Sequence, residues 1–188
     1  RKLNREMMRL FWGRFCDAFM RLYTSPLATA AAISGHSPAG GTVLSLGCDF
    51  RVIADGDYKM GLNEVAVGLP VPRFLCMVHA ALVGQRHTER LLPHGTMSSP
   101  EGALMIGLVD AVVEADQVLP LALKEVGRRL QAPAQAREQT KLNLRRQTIA
   151  GIGGSFSDEV EALTEGWFSN ECVTVMGELI TKLTKKRR

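Results

Sequence analysis

Short apolar runs bounded by glycine, proline and aspartate alternate with helical periodicity up to about residue 113, and beyond about residue 115 only helical periodicity remains. Strands alternating with helices bury their apolar faces in an α/β arrangement, whereas a run of helices must pack on itself or on that sheet. The sequence therefore predicts an α/β part over residues 1–114 and a helical region over residues 115–188.

Within the first part, residues 1–23 have helical spacing, with Leu3, Met7, Leu10, Phe11 and Phe15 on one face and Ser25-Pro26 as the stop. Residues 27–34 read as a buried strand. Gly35-His36-Ser37-Pro38 then turns the chain, with Ser37 as N-cap and Pro38 in the first position of a small-residue helix over 39–47. Residues 48–54 and 58–60 read as strands around an Asp55-Gly56-Asp57 turn, and Gly61-Leu62-Asn63-Glu64 follows as a loop. Helices are expected over 72–83, 86–92 and 101–106, the last opened by the capping box Ser98-Ser99-Pro100-Glu101, before a strand over 108–113. Four more helices follow over 117–130, 134–148, 155–168 and 171–183. Because the chain enters helical periodicity directly at Arg1, part of the fold is expected to precede it.

Composition narrows the function classes. With 46% hydrophobic residues the 188-residue chain can bury a sizeable core. No apolar run approaches the roughly 20 residues a membrane-spanning helix needs, so no integral membrane segment is expected. The net charge of +4 suits a polyanion, either nucleic acid or the phosphates of a nucleotide-bearing compound. Only 6% of residues are aromatic and no nucleic-acid-binding signature is present, which argues against nucleic acid. Cys16, Cys48, Cys76 and Cys172 are far apart and read as reduced thiols. His36, His79, His87 and His94 form no close ligand set, so no metal site is expected.

Two places could carry chemistry. Gly40-Gly41 opens a helix after a buried strand, where backbone N–H groups are unpaired and a ligand oxygen could approach; close helix packing is the alternative. Glu64 stands among Leu62, Val65, Val67 and Leu69, surroundings that would raise its pKa toward that of a useful proton shuttle; a solvated loop glutamate is the alternative. Gly35-His36-Ser37-Pro38-Ala39 nearly matches the Gly-x-Ser-x-Gly nucleophile elbow but lacks its last glycine. The run from Gly151 to Gly154 has no preceding strand and reads as a helix connection rather than a phosphate loop. Lys182, Lys185, Lys186, Arg187 and Arg188 suit the negative end of the last helix.

Taken together, Ala30-Ala31-Ala32-Ile33-Ser34-Gly35-His36-Ser37-Pro38-Ala39-Gly40-Gly41, then Cys48-Asp49-Phe50-Arg51, then Gly61-Leu62-Asn63-Glu64 and Gly68, resemble the crotonase (enoyl-CoA hydratase/isomerase) superfamily, and most of all its mitochondrial enoyl-CoA isomerases. The resemblance covers about residues 22–113 and continues more weakly through the helices. It implies a crotonase-type ββα spiral core, lacking its front in this chain, followed by C-terminal trimerisation helices. It implies Glu64 as the catalytic acid/base, Gly40 as a backbone N–H donor of the oxyanion hole, and Asn63 and Ala39 as substrate-binding residues. The hole's other N–H would lie ahead of the first helix. Hydratases of the superfamily carry a second glutamate three residues after the oxyanion-hole glycine, and that position here is Val43, which points to an isomerase. The implied reaction is the shift of a 3-cis or 3-trans double bond to 2-trans in a fatty enoyl-CoA, without a separate cofactor, in a homotrimer of the mitochondrial matrix. A non-catalytic crotonase-like scaffold, a dienoyl-CoA isomerase and a thioesterase are the alternatives, as are the peroxisome, glycosome and cytoplasm for the compartment.

Overall fold

The computed structural model describes residues 4–153 and 155–186; Arg1, Leu3, Gly154, Arg187 and Arg188, which figure in the sequence reading, lie outside the described residues. The first helix, α1 (Arg5–Tyr23), is capped by Asn4, whose side chain accepts a hydrogen bond from the Met7 N–H at 2.8 Å. Its buried face is Met8, Cys16, Phe19 and Tyr23, whereas Met7, Leu10 and Phe11 are 39%, 57% and 53% exposed. The expected stripe is thus rotated, because the apolar residues of this helix span more than one face and the core takes only one of them.

Strand β1 (Ala30–Ile33) leads through β2 (Ser37–Pro38) into α2 (Gly40–Leu46), and β3 (Phe50–Ala54) returns beside β1. Ser37 is not an N-cap: it and Pro38 pair in parallel with Met60 and Gly61 of β4 (Met60–Gly61), because the Ser37 N–H finds the Lys59 carbonyl at 2.9 Å. The N-cap is Ala39, with no side-chain bond. The short third strand expected over 58–60 is displaced to β4, and Glu64 opens a 3-10 turn (Glu64–Val67) rather than lying in a loop. Helices α3 (Arg73–Val83), α4 (Gln85–Leu91) and α5 (Pro100–Met105) follow, the last capped by Ser99, which accepts from Gly102 N–H at 3.1 Å. Strand β5 (Ala111–Val113) completes a parallel sheet in the order β1-β3-β5.

Central strand β3 is buried at all five positions, as a parallel strand covered on both faces must be. Ile53 packs with Ile33, Phe19, Phe74 and Leu75 on one side. On the other, Phe50, Val52 and Ala54 meet Val118 and Ala122 of α6 (Val118–Leu130). Arg51, only 5% exposed, is reconciled with burial by Asp110, whose carboxylate accepts from its Nη2 at 3.0 Å and its backbone N–H at 2.7 Å.

Three more helices, α7 (Ala134–Ile152), α8 (Ser157–Trp167) and α9 (Asn170–Lys186), close the fold. Asp49, just ahead of β3, anchors α7 by accepting from Lys141 Nζ at 2.8 Å and Arg145 Nη2 at 3.0 Å. Helix α8 lies along α1: Arg9 donates twice to Glu161, at 2.6 and 2.8 Å, Arg5 pairs with Glu165, and Trp12 meets Trp167 edge-on with ring centroids 6.0 Å apart. Among the described residues no helix is long and apolar enough to cross a membrane, and no group of three His, Cys, Asp or Glu is gathered to hold a metal.

Candidate active site

Glu64 and Gly40 are brought together by a small buried hydroxyl. Thr42, fully buried on α2, donates its Oγ1 hydrogen to the Ser37 carbonyl at 2.5 Å and accepts from Gly61 N–H at 2.8 Å. That one side chain ties β2, the start of α2 and β4, so the helix N-terminus is held at a fixed offset from the segment that carries Glu64. The backbone of that segment turns at glycines. Gly61 has φ 151° and a Cβ there would stand 3.1 Å from the Thr96 carbonyl; Gly68 has φ 75° and a Cβ would meet Cys172 at 2.9 Å. The 3-10 turn between them is therefore pinned at both ends, against α9 on one side and the chain before α5 on the other.

Between these elements lies a cavity of about 360 Å³. Ala39, Gly40, Asn63 and Glu64 stand on its wall, as do Phe11, Trp12 and Phe15 of α1 and Leu163 and Trp167 of α8. Among the described residues, Glu64 is the single titratable group on that wall. Its Oε2 is buried without a hydrogen-bond partner, and burial raises its pKa from the usual 4.5. The Gly40 N–H, first in its helix, has no acceptor among the described residues. A Cβ on Gly40 would meet nothing within 4 Å, whereas one on Gly41 would stand 2.6 Å from Ser37 Oγ. Packing thus explains the second glycine and leaves the first to open space on the cavity wall.

Ala39 adopts φ 45° and ψ −112°, the one described non-glycine residue with positive φ. Its N–H is spent on the Gly61 carbonyl at 2.9 Å and its carbonyl accepts from Val43 N–H at 2.8 Å, so two hydrogen bonds hold the strained residue in place. Asn63 makes no cap bond with its side chain. Val43 is 1% exposed in the core and is not on the cavity wall. The near-match to a nucleophile elbow dissolves: Ser37 is in β2, and His36 Nδ1 accepts the Lys59 N–H at 3.1 Å.

Sequence reasoning missed the aromatic half of the cavity. Both tryptophans of the chain, Trp12 and Trp167, line it, and the Trp12 Nε1–H is buried without an acceptor. The signal was the aromatic concentration in Phe11-Trp12 and Phe15, which helical spacing alone assigns to packing.

Comparison with known proteins decides the family. The enoyl-CoA hydratase/isomerase profile matches residues 2–158. The chain belongs to the enoyl-CoA hydratase/isomerase family. Among curated members, mitochondrial enoyl-CoA delta isomerase 1 of mouse is 40% identical over 143 residues, 76% of this chain and 50% of its own length. The human protein of that name is 37% identical over 143 residues, 76% of this chain and 47% of its own length. The chain thus spans about half the length of these relatives. The crystal structure of human mitochondrial delta3-delta2-enoyl-CoA isomerase superposes with a TM-score of 0.93 at 29% identity, covering 99% of this chain and 72% of that one. The α/β core with its helical tail is therefore the fold of this family, as the motif resemblance implied.

Proposed function

We propose that the protein of which this chain is part moves a double bond in a fatty enoyl-CoA from the 3-cis or 3-trans to the 2-trans position, with Glu64 as its single acid/base. One observation carries this reading: a lone carboxyl, raised in pKa by burial, faces an apolar cavity on whose wall a helix-terminal N–H is free. The thioester oxygen accepts from Gly40 N–H, an interaction of about 3 kcal/mol when it strengthens as negative charge builds on the oxygen. Glu64 takes the C2 proton, leaving a dienolate delocalised over the oxygen, C2 and C4. The same carboxyl, now protonated, returns the proton at C4, and the conjugated product forms with no net change in charge. Asn63 and the strained Ala39 backbone border the reacting carbons, and the aromatic wall takes the acyl chain.

Hydration is disfavoured, since adding water requires one group to activate it and another to deliver a proton. The position that a second glutamate occupies in hydratases is Val43, sealed in the core. Proton transfer between a carboxyl and carbon needs no separate cofactor. The names of the mouse and human relatives support a mitochondrial location. The proposed trimer contact lies within the helical tail of residues 115–188, and the exposed Val173 and Ile180, at 59% and 62%, support α9 as its surface.

The test is direct. Conjugation of 3-trans- and 3-cis-enoyl-CoA is followed by ultraviolet absorbance with the wild type and Glu64→Gln. Conjugation by the wild type that is lost in the variant is the expected result. An inactive wild type, or a fully active variant, overturns the assignment.

A further inference from the structure

A second cleft, of about 590 Å³, opens where α6 ends and α7 begins, beside Asp49. It shares no lining residue with the Glu64 cavity. The two are at opposite ends of the sheet: Asp49 and Pro26 precede the first residues of β3 and β1, whereas Gly40 and Glu64 follow the last residue of β1. Five cations line this cleft: Arg128, Arg129, Arg137, Lys141 and Arg145. The carboxylates that meet them are Asp49, shared by Lys141 and Arg145, and Glu125, which takes Arg128 at 2.8 Å.

Arg129 and Arg137 have no carboxylate partner among the described residues, and the fold makes little use of either guanidinium. Arg137 reaches the Arg129 and Pro26 carbonyls only at 3.4 and 3.5 Å, the outer limit of hydrogen-bond length. Arg129 donates to the Asp49 carbonyl at 3.2 Å, while its Nε is buried with no partner at all. A buried donor left unmatched is costly, and Arg129 Nε is one that faces this cleft. The N-terminus of α7, a 19-residue helix, faces the same cleft through Ala136 and Arg137; its N-cap, Pro133, offers no side-chain acceptor and its first turn holds no acidic residue.

We propose that this cleft binds the phosphate groups of a nucleotide-sized organic phosphate, with Arg129 and Arg137 as its principal ligands. A planar guanidinium presents paired donors that match two phosphate oxygens, and an unmatched helix terminus adds favourable field for a dianion. The volume falls within the range of small-ligand sites, about 300–1,000 Å³, and exceeds what a bare phosphate would fill.

The binding of ADP, pyrophosphate and adenosine is measured by calorimetry on the whole chain, with Arg137→Gln, the double variant Arg129→Gln/Arg137→Gln, Arg90→Gln as a remote basic control, and Glu64→Gln. ADP and pyrophosphate bind saturably and adenosine does not. Arg137→Gln weakens ADP about tenfold and the double variant about a hundredfold, each lost charge-assisted bond counting roughly a factor of ten. Arg90→Gln and Glu64→Gln leave the affinity unchanged. Arg137→Gln melts with the wild type, because its contacts in the free protein are long, and so it decides the matter if the double variant does not fold. Absence of saturable ADP binding, adenosine binding as tightly as ADP, or an Arg137→Gln variant with wild-type affinity overturns the proposal.

Discussion

The two adjacent glycines at the head of α2 should respond to the same substitution in opposite ways. At Gly40 the backbone is helical with no positive φ, and an added Cβ meets nothing within 4 Å. Gly40→Ala therefore removes freedom from the unfolded chain without strain in the folded one, a gain of about 0.5 kcal/mol. For a chain of this size that is a rise of roughly 1–2 °C in Tm. On the proposed mechanism the thioester oxygen approaches the N–H through that open space, where a displacement of about 1 Å by the methyl costs on the order of a hundredfold in turnover. At Gly41 the Cβ falls 2.6 Å from Ser37 Oγ, a side chain only 7% exposed. Overpacking of that kind costs about 1–3 kcal/mol, enough to outweigh the helix-propensity gain. Replacing Ser37 by alanine as well should recover most of the loss. Chemical denaturation of the three variants, beside the rate of enoyl-CoA conjugation, tests both halves. A Gly40→Ala variant that is stable and fully active would refute the assignment of that open space to a ligand.

Glu64→Gln should be more stable than the wild type at neutral pH. The folded pKa is raised, so the folded state holds its proton more tightly, and the wild type loses stability as pH climbs from 4.5 through the folded value; below 4.5 the two proteins should denature alike, as urea titrations across that range would record. His79, 1% exposed and hydrogen-bonded through Nδ1 to Thr88 Oγ1 at 2.8 Å, has its pKa lowered by burial from 6.5 to about 4. Its folded form resists protonation, so stability should fall by about 3 kcal/mol as pH drops from 6.5 to 4, and His79→Gln should flatten that part of the urea profile. Val43→Glu, which restores the hydratase pattern in sequence, should destabilise the fold by about 3 kcal/mol or more and confer no hydration, because it places an unpaired carboxyl in the core; a stable variant that hydrates 2-trans-enoyl-CoA would contradict this.

The parts legible in the sequence were those set by local physics. The start of α5 was legible to within one residue: the cap is Ser99 rather than the Ser98 of the expected capping box, because it is the Ser99 hydroxyl that accepts the N–H of Gly102, three residues on. The strand around Val52 declared itself by Phe50, Val52 and Ile53, which place apolar side chains on both faces as a covered parallel strand demands. Ser37 was misplaced because a serine before a proline is a good N-cap locally, and only the distant Lys59 carbonyl recruits it to a strand. The aromatic wall escaped for the same reason. Trp12 and Trp167 are 6.0 Å apart in space and lie on the first and eighth helices, and nothing in the periodicity of either helix names the other.

The proposed role of the carboxyl depends on that non-local wall. A glutamate in a 3-10 turn would ordinarily be solvated, and a solvated carboxylate is too weak a base to share a proton with carbon near neutral pH. Here Glu64 shares a cavity wall with Trp12 and Phe15 of α1, Leu163 and Trp167 of α8, and Leu69 and Leu75, and is partly withdrawn from water. The exposed ion pairs that join α1 to α8, Arg9–Glu161 and Arg5–Glu165, add little energy of their own, being near half exposed. The helix contact instead rests on the half-buried rings of Trp12 and Trp167 and on Leu163, 3% exposed. The cavity in which burial raises the Glu64 pKa is thus lined by the helical region as well as by the motif around it. On the proposed mechanism the carboxyl carries its proton beneath side chains of the helical tail packed over the first helix, so that both parts of the chain contribute to one cavity.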